Sequence, residues 1–320
     1  MGSTRSARRA RAGWGRGVVA TVAAAIGAVL TLGAAPAAIA TAPSAGAATT
    51  TAVTGSEGLV IDAWGGLHIV SYAATPTIKN FNHASYWPGW DIARGVALRA
   101  ADPMTCASFG GYTLDAWGGL HPFGINGKTG PSKPKDGPYW RGWDIARDVA
   151  LVPTDPRNPD SPPAGGYVLD GYGGLHYFTI DGSVPQPTIT GNPYWNGWDI
   201  ARGLIILTGP GGYDGGFVVD AWGALHPFAI GQHGGTVKSP PAVDKTTAPY
   251  WPGWGIVRGG TGLPGSNVNG GLVLDAWGGL HPFKLASGPV PAVSQLHGAP
   301  YWKGWDIARG IVMKPKKACP

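Results

Sequence analysis

The chain has 320 residues, enough for one or two domains with a sizeable core. Glycine (54) and proline (30) make up about a quarter of it, which disfavours helices, while fifteen tryptophans exclude a disordered chain and the lack of a Gly-X-Y period excludes collagen. The net charge of +6 resides almost wholly in residues 1–47, and the remainder carries 19 basic against 18 acidic side chains, without the basic footprint of a nucleic-acid binder.

Residues 1–47 read as a signal peptide. Arg5, Arg8, Arg9, Arg11 and Arg16 precede an apolar run from Val18 to Leu32, and small-residue cleavage sites follow at Ala38-Ile39-Ala40 and Ala45-Gly46-Ala47. The run is rich in Ala and Gly and is followed by Pro36, so it suits a membrane span poorly. The expectation is a secreted or cell-wall-associated chain with no membrane span after processing. A linker over 48–57 then leads into a repeat domain over 58–320.

Self-similarity organises that domain. Leu59-Val-Ile-Asp-Ala-Trp-Gly-Gly-Leu-His68 recurs at 112–121, 167–176, 217–226 and 272–281, and Tyr86-Trp-Pro-Gly-Trp-Asp-Ile-Ala-Arg-Gly95 recurs from Tyr139, Tyr194, Tyr250 and Tyr301. The first motif predicts a hairpin whose Gly-Gly turn supplies positive φ. Ile92–Leu98 predicts a third strand, with Ile92, Arg94, Val96 and Leu98 on one face and the small Ala93, Gly95 and Ala97 on the other. A face that small suits close backbone approach near a symmetry axis. Asp148, standing where the other copies have Gly, would line an axial channel.

Five strand-built repeats of 50–55 residues predict an all-β, five-bladed β-propeller. The chain begins with a hairpin lacking its Asp-Ile-Ala-Arg strand and ends with such a strand lacking its hairpin. Pairing the N-terminal hairpin with the C-terminal strand would complete the last blade and remove sheet edges. Cys106 and Cys319 occupy matching post-strand loops of blades made neighbours by that closure, so a disulfide is expected between them.

Five arginines (Arg94, Arg147, Arg202, Arg258 and Arg309) stand among apolar strand residues and need carboxylate partners. The fourth repeat has Gly255 in place of the upstream Asp but keeps Arg258, so structural ion pairs are expected with the hairpin residues Asp62, Asp115, Asp170, Asp220 and Asp275. That leaves the upstream carboxylates free beside aromatic plates, an arrangement suited to sugars, whose C–H faces stack on rings and whose hydroxyls donate to carboxylates. The candidate ligand residues are Trp87, Trp90, Asp91, Trp140, Trp143, Asp144, Trp195, Trp198, Asp199, Trp302, Trp305 and Asp306, with the fourth repeat the weak site. The competing reading of these aspartates is an Asx turn capping the loop. His68, His121, His176, His226 and His281 are each alone in their repeat, so structural roles rather than metal binding are expected. No catalytic residue, metal or cofactor is assigned, since the polar residues repeat with the fold and no catalytic motif occurs.

Asp-Ala-Trp-Gly-Gly-Leu-His-Pro-Phe with Tyr-Trp-x-Gly-Trp-Asp-Ile-Ala-Arg-Gly resembles the repeats of secreted actinobacterial β-propeller proteins, over residues 58–313. In some of these relatives similar repeats accompany cell-wall or peptidase domains. The five-blade count is similar to that of tachylectin-type lectins, whose blades each bind an amino sugar; this likeness is architectural and transfers no individual residue. Together these readings predict a monomeric, multivalent glycan-binding module for cell-wall or extracellular polysaccharide. A structural or protein-interaction scaffold, with a protein partner, is the alternative. A hydrolase with its site in the variable segments 124–137, 157–165 or 229–248 ranks third.

Overall fold

The computed structural model describes residues 56–99, 110–154, 162–180, 186–208, 214–231, 242–263, 270–285 and 290–315. The chain separates into two units, Met1–Gly46 and Ala47–Pro320, and every described residue belongs to the second. The expected signal peptide, the linker up to residue 55, and both Cys106 and Cys319 lie outside the described residues.

The described chain is all-β, with one 3-10 turn and no α-helix. Its strands are β1 (Ser56–Asp62), β2 (Leu67–Ser71), β3 (Phe81–Asn82), β4 (Ala93–Arg99), β5 (Gly110–Asp115), β6 (Leu120–Ile125), β7 (Ala146–Pro153), β8 (Pro163–Asp170) and β9 (Leu175–Thr179). They continue as β10 (Thr188–Thr190), β11 (Ala201–Thr208), β12 (Asp214–Asp220), β13 (Leu225–Gly231), β14 (Val257–Gly262), β15 (Gly270–Asp275), β16 (Leu280–Lys284) and β17 (Ala308–Pro315). Five antiparallel sheets result, with strand orders β17-β1-β2, β3-β6-β5-β4, β7-β8-β9, β10-β13-β12-β11 and β14-β15-β16. The first joins the two ends of the domain, β1 pairing with β17 from Ser56 opposite Pro315 to Asp62 opposite Ala308.

Each segment leading into a Tyr-Trp motif touches the outer edge of the sheet it is about to enter. Two of these segments form the short strands β3 and β10, and three make single bridges at Lys135, Val243 and His297.

The middle strands are buried on both faces. In β1, Leu59 and Ile61 enter one hydrophobic cluster and Val60 another, as period-two alternation requires when sheets lie on both sides. The same division occurs in β8, β12 and β15. Five clusters thus each join two consecutive sheets, and one of them joins the sheet of β14–β16 to that of β17, β1 and β2. The strands β4, β7, β11, β14 and β17 likewise lie each beside the next, with β17 beside β4.

Glycine permits that approach. A Cβ on Gly310 would stand 2.9 Å from the Gly95 Cα, and one on Gly203 would stand 2.9 Å from the Gly259 carbonyl carbon. Asp148 lines no channel: it is 1% exposed, and its carboxyl accepts the Val149 and Leu204 amides at 2.8 Å each. Burial pushes this carboxyl well above its ordinary pKa, against the pull of those two amides.

The expected alternation of Ile92–Leu98 is broken by a bulge. Ala93 pairs with Asp115 and Gly95 with Leu114, leaving Arg94 as the extra residue. Register shifts leave Arg147, Arg202, Arg258 and Arg309 unpaired in the same way. The bulge lifts each arginine out of the apolar face on which continuous alternation had placed it.

Candidate functional site

The arginines do not pair with the hairpin aspartates as expected. Arg94 donates through Nη1 to Asp91 of its own repeat at 2.8 Å, and its Nε and Nη2 form a fork on Asp144 of the next, with Nε at 3.0 Å. Arg147 holds Asp144 and forks onto Asp199. Arg258 forks onto Asp306, and Arg309 holds Asp306 and forks onto Asp91. Asp91, Asp144, Asp199 and Asp306 are therefore each held by two guanidinium groups, and are not the free carboxylates that the sequence suggested. Burial opposes their ionisation, but the flanking arginines outweigh it and hold all four below the ordinary carboxylate range. Their side chains remain 41–53% exposed.

This chain of pairs has one break. Arg202 holds Asp199 through Nη1 at 2.8 Å, but Gly255 occupies the place where its fork would find the next carboxylate. Five arginines thus share four aspartates. Burial, followed by the charges of Arg147 and Arg258, lowers the Arg202 pKa against the pull of Asp199.

The hairpin aspartates work locally instead. Asp62 Oδ1 accepts the Trp64 and Gly66 amides at 2.9 and 2.8 Å, and Oδ2 stands 2.9 Å from His68 Nε2. Asp115, Asp170, Asp220 and Asp275 repeat the arrangement with His121, His176, His226 and His281 at 2.8–3.0 Å. Of the two turn glycines, only the first has positive φ, +90° at Gly65. Burial opposes ionisation of Asp62 and Asp275, yet the histidine and amide hydrogen bonds win and lower both.

The two tryptophans of each Tyr-Trp-x-Gly-Trp motif have different environments. The Trp87 amide donates to the Trp64 carbonyl of the preceding hairpin, while its ring meets His121 of the next sheet edge-on at 5.1 Å. Trp140, Trp195, Trp251 and Trp302 are placed alike, half-buried wedges between consecutive sheets. As ligand plates, Trp87, Trp140, Trp195 and Trp302 are thus poorly presented.

The second tryptophan projects outward. Trp87-Pro88-Gly89-Trp90 is a tight turn closed by Trp90 N to Trp87 O at 3.0 Å, with Gly89 at φ +76°. A Cβ on Gly89 would touch nothing, so glycine is required there for the turn and not for space. Trp90, Trp143, Trp198, Trp254 and Trp305 are 50–52% exposed, each with one side resting on a hairpin aromatic such as Trp117, 5.7 Å from Trp90. Beside them Tyr86, Tyr139, Tyr194, Tyr250 and Tyr301 are 54–60% exposed, and the sequence reading did not single these out. Their regular place before each tryptophan was visible, but exposure was not.

Those ten are the large hydrophobic side chains that the described surface exposes, one Tyr and one Trp per repeat. Among the described residues no three metal-ligating side chains cluster. The chain matches no family model, no curated protein and no solved structure.

Proposed function

We propose that the repeat domain is a five-bladed β-propeller that binds glycans multivalently through its Tyr-Trp-x-Gly-Trp turns. The cycle of inter-sheet clusters and the pairing of β1 with β17 support the propeller reading. What carries the functional reading is the set of ten exposed aromatics in five equivalent pairs, next to half-exposed carboxylates. Large aromatic faces left in water bring affinity when a ligand covers them, and sugars present C–H faces suited to that. Trp90, Trp143, Trp198 and Trp305, joined by Tyr86, Tyr139, Tyr194 and Tyr301, are the plates. The aspartates first hold the ring together and then offer Oδ2 to a sugar hydroxyl.

The chain is read as secreted, with residues 1–47 as its signal peptide, and as a monomer at a cell wall or on extracellular polysaccharide. Weak equivalent sites gain from multivalency on a repeating polymer. The reading assigns no reaction and no cofactor.

The test titrates the purified chain with cell-wall polysaccharides and amino sugars, following tryptophan fluorescence and calorimetry. Saturable binding with several sites per chain is expected, with one fewer site in Trp198→Ala. A folded protein silent across the panel would transfer the exposed aromatics to a protein partner and make the domain an interaction scaffold.

A further inference from the structure

Four of the five arginine forks close on a carboxylate from the next repeat, and the fifth does not. Arg202 makes three hydrogen bonds, from Nη1 to Asp199 Oδ1 and the Ala201 carbonyl and from Nη2 to the Asp199 carbonyl, at 2.7–3.1 Å. Among the described residues, its Nε–H and one Nη2–H, the pair that forms the fork elsewhere, meet no acceptor. The side chain is nevertheless only 22% exposed, and the charges of Arg147 and Arg258 repel it. A cation so placed attracts an anion.

The space is present as well as the charge. Around Gly255 a Cβ would meet only the Ala221 Cβ at 3.9 Å, so nothing crowds the first atom of a side chain there. The aromatic side chain that precedes this position in each repeat is Trp254 here, 52% exposed. Gly255 therefore removes the carboxylate that each other fork receives from the next repeat, and the residue before it in the chain is the exposed Trp254.

We propose that the fourth repeat is the chain's acidic-sugar site, in which a ligand carboxylate takes the fork of Arg202 and its sugar ring lies on Trp254. The fit is bidentate, since the four filled forks bind a carboxylate in that mode, with Nε to oxygen distances of 2.9–3.0 Å. The missing aspartate thus makes a specific site out of the repeat that the sequence alone marked as the weak one. This inference rests on the glycan reading for its sugar and on the broken ring for its carboxylate.

The experiment titrates the full chain with glucuronate, glucose and acetate at constant ionic strength, against Gly255→Asp and Arg202→Lys variants. The expected result is one glucuronate site, tighter than glucose by at least about tenfold, as one charge-assisted bidentate contact implies. Gly255→Asp supplies the missing carboxylate internally, so it loses glucuronate binding while its melting temperature rises. Arg202→Lys keeps the charge but not the fork and weakens binding. Equal glucuronate affinity in wild type and Gly255→Asp overturns the proposal, as does equal affinity for glucuronate and glucose. Acetate as tight as glucuronate, with Trp254→Ala unchanged, overturns the sugar and leaves a simple anion cradle. Neutral glycans failing at the other repeats while glucuronate still binds would remove the general glycan reading and leave this site standing.

Discussion

Arg309 and Asp91 are separated by 218 positions in the chain, yet the Arg309 fork closes on the Asp91 carboxylate just as Arg94 closes on Asp144. The contact between the two ends of the domain is the same contact that joins interior repeats. Trp305 on Trp64 and Trp302 on His68 repeat this equivalence among the aromatics.

Arginines in this chain of ion pairs differ in how many carboxylates depend on them. Arg147 holds Asp144 and Asp199, whereas Arg202 holds only Asp199. Hydrogen bonds to charged groups contribute roughly 1.5–3 kcal/mol each before solvent screening. Arg147→Ala is expected to destabilise by about 2–3 kcal/mol and Arg202→Ala by about 1 kcal/mol in urea unfolding. Equal costs would refute the pairing scheme.

Filling the break stabilises. Gly255→Asp is expected to add about 1 kcal/mol, a rise of roughly 2–4 °C in melting temperature. Combined with Arg202→Ala the gain disappears, and a gain that survives the double substitution would assign it to the backbone change alone.

Acid weakens these ion pairs. Asp91, Asp144, Asp199 and Asp306 are lowered in the folded state, so the unfolded chain takes up protons first as pH falls. Their contribution is fully present above the unfolded carboxylate value of about 4 and is lost below it, through the folded values. Thermal unfolding from pH 7 to pH 3 at constant ionic strength should show a steep loss below about pH 4. An unchanged midpoint at pH 3 would contradict it.

Asp148 has the opposite sign. Its pKa is raised, so the folded state retains a proton that the unfolded chain releases, and stability falls as pH rises from about 4 toward the folded value. Asp148→Gly restores the residue of the other repeats and removes this fall. The stability difference between variant and wild type should therefore grow in favour of the variant from pH 4 to pH 8, and a pH-independent difference would exclude it.

The ends of the domain offer a covalent test. Strand β4 ends at Arg99 and β17 at Pro315, the two lie side by side, and the cysteines follow seven and four residues later. A Cys106–Cys319 disulfide is expected in a non-reducing peptide map, and its reduction should cost about 2–5 kcal/mol. Two alkylatable thiols in the native chain would refute it.

The strands were legible in the sequence because turn residues bracket short apolar runs, as in Leu59–Asp62 before Gly65-Gly66. The partners of the arginines were not. In sequence, Arg258 persists where Gly255 replaces the upstream aspartate, which points away from that aspartate as a partner. Arg258 instead takes Asp306 from the following repeat, so the loss at Gly255 falls on Arg202. The bulge at each arginine hid this, since unbroken alternation had put the guanidinium on the wrong face. Trp87 and Trp90 were indistinguishable in sequence because fivefold recurrence accompanies a wedge and an exposed plate equally; only their surroundings separate them.

The pairing of β1 with β17 gives the domain a temporal order. A growing chain can assemble the sheets of β3–β16 while β1 and β2 wait, and the waiting hairpin presents the free edge at which β17 will dock. At high concentration the last strand of a second copy competes for that edge, so refolding from denaturant is a contest between pairing within one chain and strand exchange between two. Dilution favours pairing within one chain.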